Sequence, residues 1–225
     1  MKARLSLFAV LMAAPLVLAP TARASEVPVG NALYNVPLHT FIDLRFKNMV
    51  RQTRDLSCGA AAVATLLKYY YGDDVTEQQA IDAMLKLGDT GKIEKDGFSM
   101  LELKRFGEAR GYQAAGFKLA DVDSLKKLQV PVVTLIHSRG YSHFVVVKGV
   151  VGDTVYIADP AYGNRTRPLD AFDPDWNHVV LVFLSPTRTG NSQFGHDSVV
   201  RAPGRGTNTI LEQGTTTRTF GAGEF

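Results

Sequence analysis

The chain has 225 residues, of which 45% are hydrophobic, so it is long enough to bury a sizeable core. Its formal net charge of +3 comes from 25 basic and 22 acidic residues. Three of the basic residues, Lys2, Arg4 and Arg23, lie in an N-terminal segment without acidic residues, so the rest of the chain is formally neutral. This charge gives no reason to expect nucleic acid or an anionic membrane as a partner.

The N-terminal segment, residues 1–24, has the pattern of a secretory signal peptide. Two early basic residues precede an apolar run, and the segment closes with Ala22-Arg23-Ala24, a small-x-small cleavage site. The run is too short and too interrupted by proline for a convincing membrane span. We expect cleavage after Ala24 and export to a bacterial periplasm, with an uncleaved membrane anchor as the alternative.

Residues 25–47 are expected to form an irregular or short-strand lead-in, because Pro28 and Pro37 interrupt any helix. Apolar residues spaced three and four apart then predict a helix from about Cys58 to Gly72.

Two capping boxes predict the next helices. Thr76 with Gln79 opens a helix that runs to about residue 87, and Ser99 with Glu102 opens one that runs to about residue 110. Residues 119–128 are expected to form a short fourth helix.

From residue 131 the pattern changes to strands rich in β-branched residues, at 130–137, 143–151, 153–160 and 178–184. Helices followed by antiparallel strands indicate an α+β fold, with one compact domain over residues 48–185.

Residues 186–225 are rich in Thr, Gly, Asn and Arg and poor in large apolar residues, which predicts a flexible tail. Pairing of this segment with a sheet edge or with a partner is the alternative.

Cys58 is the only cysteine in the chain, so it cannot form an intramolecular disulfide. Its predicted place at a helix N-terminus would stabilise a thiolate, and Gly59 leaves the thiol uncrowded. The two readings that remain are an activated nucleophile and a small buried hydrophobic residue.

His143 is the best candidate for a general base, although His137 and His178 also lie at strand ends. A turn near residues 151–153 would fold the strand of His143 back on that of Asp159. A three-residue loop places both side chains on one face, whereas a two-residue loop separates them unless a bulge intervenes. On this condition Asp159 can orient His143.

Gln52 could complete such a site, since a side-chain amide beside the Cys58 N–H stabilises an oxyanion. Taken alone, Gln52 reads as an ordinary surface residue. The single cysteine and the scattered histidines give no metal-ligand spacing, so neither a metal nor another cofactor is expected.

Three segments carry a resemblance to a known family: QTRDLSCGAAA (52–62), SHFVVV (142–147) and IADPAYG (157–163). They resemble the bacteriocin-processing peptidases, papain-like cysteine peptidases that remove leader peptides, often after a Gly-Gly pair. The resemblance covers about residues 50–184 and implies a papain-like fold. It makes Cys58 the nucleophile, His143 the base, Asp159 its orienter and Gln52 the oxyanion glutamine.

Two departures accompany the resemblance. Ser57 stands where the family usually has Asp, and the chain lacks the membrane domain and the phosphate loop of the transporters that carry such peptidases, so no nucleotide is expected. As a stand-alone chain with a predicted export signal, the protein resembles the peptidases of bacterial functional-amyloid (Fap) secretion systems.

The resemblance implies a cysteine endopeptidase that cleaves a leader or linker segment of a secreted protein, at a site that is Gly-rich, among the components of a secretion system. A non-catalytic leader-binding module and a Cys-dependent acyl transferase are the alternatives.

Overall fold

The computed structural model describes residues 40–138 and 140–194 and, before them, the backbone of a β-hairpin. The hairpin consists of β1 (Ala24–Val29) and β2 (Ala32–Pro37), which pair antiparallel, as a short-strand lead-in requires. Residues 1–23 and 195–225 lie outside the described residues, and with them lie most of the predicted signal peptide and most of the predicted tail. Within the described part, no helix has the length and apolar character needed to cross a bilayer.

Helices form the first part of the main domain. They are α1 (Phe41–Arg45), α2 (Cys58–Thr65), α3 (Glu77–Leu87), α4 (Thr90–Asp96) and α5 (Met100–Ala109). Both predicted capping boxes are present, at the N-termini of α3 and α5. The helix α2 continues as a π-helical turn, Leu66–Tyr70, and the chain then turns at Gly72, whose φ is 67°.

Three helical features differ from the predictions. The helices α1 and α4 were not predicted, and a 3₁₀ turn, Val122–Lys127, stands where a fourth helix was expected. Since α1 lies within residues 25–47, the lead-in is not entirely irregular or extended. The two prolines that argued against a helix there, Pro28 and Pro37, lie before α1 and so do not interrupt it.

One antiparallel sheet of six strands follows. Its strands are β3 (Gln113–Lys118), β4 (Val132–Ser138), β5 (Tyr141–Val151), β6 (Thr154–Asp159), β7 (Gly163–Pro168) and β8 (Trp176–Leu184). The spatial order is β3-β8-β4-β5-β6-β7, and a short helix α6 (Leu169–Phe172) connects β7 to β8. The predicted α+β class is therefore confirmed.

Both faces of the sheet are covered, which explains the continuous apolar run in β5. Phe144 and Val146 pack with α2, α3 and α5 in one cluster, whereas Val145 and Val147 pack with Phe172 of α6 in the other. Every residue of α2 after Cys58 is buried, so this helix lies inside the domain and its N-terminus reaches the surface.

The packed chain extends beyond the predicted boundary at residue 185. Phe194 is 1% exposed and belongs to the apolar cluster that includes α2, α3 and α5. The Asn191 N–H donates to the Tyr70 carbonyl at 2.7 Å. The prediction of a flexible tail is therefore wrong for residues 186–194, because one large aromatic side chain supplies the apolar burial that the average composition lacks.

Candidate active site

Cys58 is the first residue of α2 and is partly exposed at the domain surface. The preceding Ser57 occupies the N-cap position, yet its side chain makes no capping hydrogen bond with the helix. The unsatisfied N–H groups of the first turn therefore stay directed at the region of the thiol, where they favour a negative charge.

A β-bulge brings His143 and Asp159 together. The hairpin between β5 and β6 has the two-residue loop Gly152-Asp153, which alone would put the two side chains on opposite faces. Between Val147 and Gly149 the register shifts by one residue, so that Lys148 is the extra residue of β5. The His143 Nε2 consequently lies 2.7 Å from Asp159 Oδ1.

The thiol and the imidazole form a hydrogen-bonded pair whose charges stabilise each other. Burial raises the pKa of Cys58, but the hydrogen bond with His143, together with the Phe144 and Gly59 N–H groups, brings that pKa below its ordinary value. Burial lowers the pKa of His143, yet the hydrogen bonds to Asp159 and Cys58 outweigh it and raise this pKa to about 9. Both shifts favour the charged pair, thiolate and imidazolium, over the neutral pair.

Asp159 is fully buried, and each of its oxygens has a separate role. Oδ1 accepts hydrogen bonds from His143 and from the N–H groups of Ala161 and Tyr162, at 2.7 to 3.1 Å. Oδ2 lies 2.6 Å from Nη2 of Arg165. Burial raises the pKa of Asp159, but His143 and Arg165 hold it below the ordinary value, so the carboxylate stays ionised between two cations.

Arg165 is the residue of this site that the sequence did not reveal. It lies in β7, a polar strand that was not predicted, so nothing placed its side chain beside Asp159. The guanidinium also lies over the ring of Tyr162, at 5.6 Å from the ring centroid. An arginine six residues after Asp159 would have been a usable signal once β6 and β7 were recognised as a hairpin.

Gln52 lies on the same cavity wall as Cys58 and His143. Its N–H donates to the Pro160 carbonyl at 3.0 Å, which ties it to the segment next to Asp159. The side-chain amide donates one hydrogen to the Arg54 carbonyl at 3.2 Å, and the second amide hydrogen is not used by that bond. One hydrogen bond thus holds the side-chain amide at the cavity wall.

Two cavities share Leu56 and Cys58 in their walls. One, of about 430 Å³, has a mainly apolar wall that includes Phe98, Met100 and Leu135. The other, of about 510 Å³, is lined by Gln52, Tyr141, His143, Tyr162 and Arg165 among others. Leu56 lines both and has a φ of 65°, a left-handed conformation that costs roughly 1–3 kcal/mol in a residue other than glycine.

The other two candidate histidines lie outside this arrangement. His137 accepts or donates a hydrogen bond with Ser142 at 3.0 Å, and His178 stacks on Trp176 near Asp173. The structure therefore brings Cys58, His143 and Gln52 to one cleft, with Asp159 buried behind His143, and leaves the other two histidines apart. Among the described residues, no cluster of three or more histidine, cysteine or acidic residues could hold a metal ion.

The sequence profile of the Peptidase C39 family matches residues 47–188. A probable functional amyloid protease FapD of Pseudomonas fluorescens is 41% identical over 160 residues, which cover 71% of this chain and 70% of that protein. The FapD of Pseudomonas aeruginosa is 37% identical and matches 70% of this chain and 69% of its own length. The chain belongs to the Peptidase C39 family and is a cysteine peptidase.

Other relatives extend the comparison to transporters. The lactococcin-G-processing and transport ATP-binding protein LagD of Lactococcus lactis is 31% identical over 138 residues, which make up 60% of this chain but 18% of the transporter. The crystal structure of the peptidase domain of Streptococcus ComA superposes with a TM-score of 0.53 at 19% identity and covers 61% of this chain and 98% of that domain. The papain-like peptidase fold expected from the sequence is thus confirmed.

Proposed function

We propose that the protein is an exported, periplasmic endopeptidase that cleaves a leader or linker segment of a secreted protein during functional-amyloid export. The observation that carries the proposal is the chain of hydrogen bonds from the Cys58 thiol through His143 to the buried Asp159. The names of the two FapD relatives support the amyloid context, and the signal-peptide pattern of residues 1–24 supports export.

The reaction begins with attack of the Cys58 thiolate on the scissile carbonyl carbon. The tetrahedral oxyanion that forms accepts hydrogen bonds from the Cys58 N–H and from the second amide hydrogen of Gln52. The carbon–nitrogen bond then breaks, and the His143 imidazolium gives its proton to the leaving amine. The products of this half are a thioester between Cys58 and the upstream fragment, and the downstream fragment, released with a free amino terminus.

The second half returns the enzyme to its initial state. His143, now neutral, takes a proton from a water molecule that attacks the thioester carbonyl. The carbon–sulfur bond breaks, the acyl fragment leaves as a carboxylic acid, and the thiolate–imidazolium pair forms again. Throughout both steps Asp159 holds the imidazole in the orientation that directs its other nitrogen, Nδ1, towards the thiol.

The proposal is tested with internally quenched peptides that contain a central Gly-Gly pair and with periplasmic proteins from cells that carry either the parent chain or Cys58→Ala. We expect the parent to cleave the peptide and to shorten at least one secreted protein by intact mass, and Cys58→Ala to do neither. Acid quenching during turnover should trap an acyl group on Cys58. Cleavage that survives in Cys58→Ala would refute the proposal.

Two further outcomes identify the alternative functions. Leader binding without turnover by the parent would make the chain a non-catalytic binding module. A product joined to an added amine, instead of a free carboxylic acid, would make it an acyl transferase.

A further inference from the structure

The loop between Gln52 and Cys58 is held by a carboxylate that comes from another element. Glu77, the first residue of α3, is 6% exposed and points into this loop. Its oxygens accept hydrogen bonds from the Thr53 N–H at 2.9 and 3.2 Å and from the Thr53 hydroxyl at 2.6 Å. Its Oε1 also accepts from the Ser57 hydroxyl at 2.6 Å, while the Arg54 carbonyl is a second acceptor for that hydroxyl at 2.7 Å.

The two residues that Glu77 binds are the neighbours of the two oxyanion donors. Thr53 directly follows Gln52, and Ser57 directly precedes Cys58. A single carboxylate therefore fixes the distance between the Gln52 amide and the Cys58 N–H. We propose that Glu77 is the positioning residue of the oxyanion hole, an inference that rests on the proposed function of Gln52 and Cys58.

The loop needs such a restraint because its backbone is strained. Leu56, between the two bound residues, has a positive φ, and residues other than glycine keep this conformation only where their surroundings impose it. The loop has internal hydrogen bonds to the Arg54 carbonyl, and the Gln52 N–H binds the Pro160 carbonyl, but Glu77 binds the loop to α3 near both of its ends. The N-terminus of α3 favours an anion at this position, as the first turn of a helix does.

Loss of Glu77 should weaken transition-state stabilisation while leaving the thiolate intact. An oxyanion forms only when a carbonyl is attacked, so misplaced donors lower kcat with little change in KM. Removal of one complete donor costs about 10²–10³ in kcat, and displaced donors should cost about 10–10². Alkylation of Cys58 by iodoacetamide creates no oxyanion, so its rate should stay within about twofold of the parent's rate.

The experiment compares Glu77→Ala with Asp82→Ala, an exposed carboxylate on the same helix that binds Gln78. For each variant we would measure kcat and KM on the quenched Gly-Gly peptide, the iodoacetamide rate, and the affinity of a peptide aldehyde that ends in glycinal. The aldehyde forms a tetrahedral adduct that needs the oxyanion donors. We expect Glu77→Ala to have a lower kcat and a lower aldehyde affinity than the parent but the same alkylation rate. Asp82→Ala should match the parent in kcat, aldehyde affinity and alkylation rate.

Ser57→Ala removes one of the hydrogen bonds with less risk to folding, and a smaller loss in the same two quantities is expected. It decides the matter if Glu77→Ala does not fold. The inference is overturned if the parent is active and its Glu77 and Ser57 variants keep the parent's kcat. It is also overturned if their alkylation rate falls in the same proportion as kcat. Either result would leave the proposed function standing. A parent that neither cleaves the peptide nor binds the aldehyde would overturn both.

Discussion

Asp159 holds its charge between His143 on one side and Arg165 on the other, without exposure to solvent. A buried carboxylate with one partner would bind the imidazolium so strongly that His143 would release its proton to a leaving group reluctantly. Because Arg165 also interacts with the carboxylate, Asp159 attracts the imidazolium less strongly and stays ionised even when His143 is neutral.

The first prediction concerns the pH range in which the thiolate–imidazolium pair exists. The lowered pKa of Cys58 sets the acid limit, and the pKa of His143, about 9, sets the alkaline limit. Iodoacetamide should therefore alkylate Cys58 well below pH 8, and kcat/KM should fall as pH rises through about 9. Alkylation that increases only at pH 8–9, as for a thiol with a pKa of about 8.5, would contradict an activated cysteine.

The second prediction concerns Arg165. Replacement by Gln removes a cation from the neighbourhood of Asp159 and His143. The carboxylate then attracts the imidazolium more strongly, so the pKa of His143 should rise. The alkaline limb of the kcat/KM profile should move up by about one pH unit, the usual effect of a neighbouring charge. Arg165→Lys keeps the charge and should keep the limb near its original position. A limb that moves down in Arg165→Gln would mean that Arg165 does not act on this carboxylate.

At the scale of elements, the site depends on helices that approach the sheet very closely. In α5, Gly107 faces Phe183 of β8, and a Cβ atom at this glycine would lie 2.3 Å from the ring. A side chain of any size would push α5 away from the sheet. Gly91 in α4, by contrast, has nothing nearer than 3.5 Å to such a Cβ.

The third prediction uses this pair of glycines. Gly107→Ala should lower the free energy of unfolding by about 1–3 kcal/mol, the range for overpacking in a core. Gly91→Ala lies in a helix and should be neutral or stabilise by up to about 1 kcal/mol. Urea denaturation measures both. Equal stability of the two variants would show that Phe183 moves aside at little cost.

The sequence could predict the elements whose signals are local. Capping boxes located α3 and α5, and β-branched runs located β4, β5, β6 and β8. The polar edge strands β3 and β7 carry no such signal, because only one side of each pairs with a neighbour and most of their side chains are not buried. Because β7 was not recognised, Arg165 was not placed beside Asp159, and the contacts of Glu77 are long-range contacts between α3 and a loop, which no local pattern indicates.

For His143 and Asp159 the sequence supplied only a condition. It required an odd loop or a bulge, and the hairpin has an even loop with a bulge at Lys148. Hydrophobic alternation could not reveal the bulge, since β5 is buried on both faces and reads as apolar in either register.

At the scale of the whole molecule, the described part of the chain ends with a buried aromatic residue. Phe194 packs near Tyr70, with ring centroids 6.0 Å apart, and the Lys148 ammonium lies 4.4 Å from its ring centroid. This last contact joins the end of the described chain to the bulge in β5.

The fourth prediction compares two truncations. A chain that ends at residue 194 should keep peptide cleavage within about a factor of two, because all the residues that the structure shows in the site precede that point. A chain that ends at residue 185 loses Phe194 and should be about 3–5 kcal/mol less stable, the cost of deleting a buried Phe side chain. Thermal or urea unfolding checks the difference. Equal stability of the two truncations would mean that the segment from 186 to 194 is only loosely attached.

The bulge at Lys148 also restricts how this hairpin can vary in length. One residue added to or removed from the loop between β5 and β6 would turn Asp159 to the opposite face from His143, whereas a change of two residues would restore it. A variant that combines a single-residue insertion in the loop with loss of the bulge can therefore be active. A variant with only one of these two changes should be inactive. Among natural descendants of this chain that remain active, insertions and deletions in the hairpin should come in even numbers.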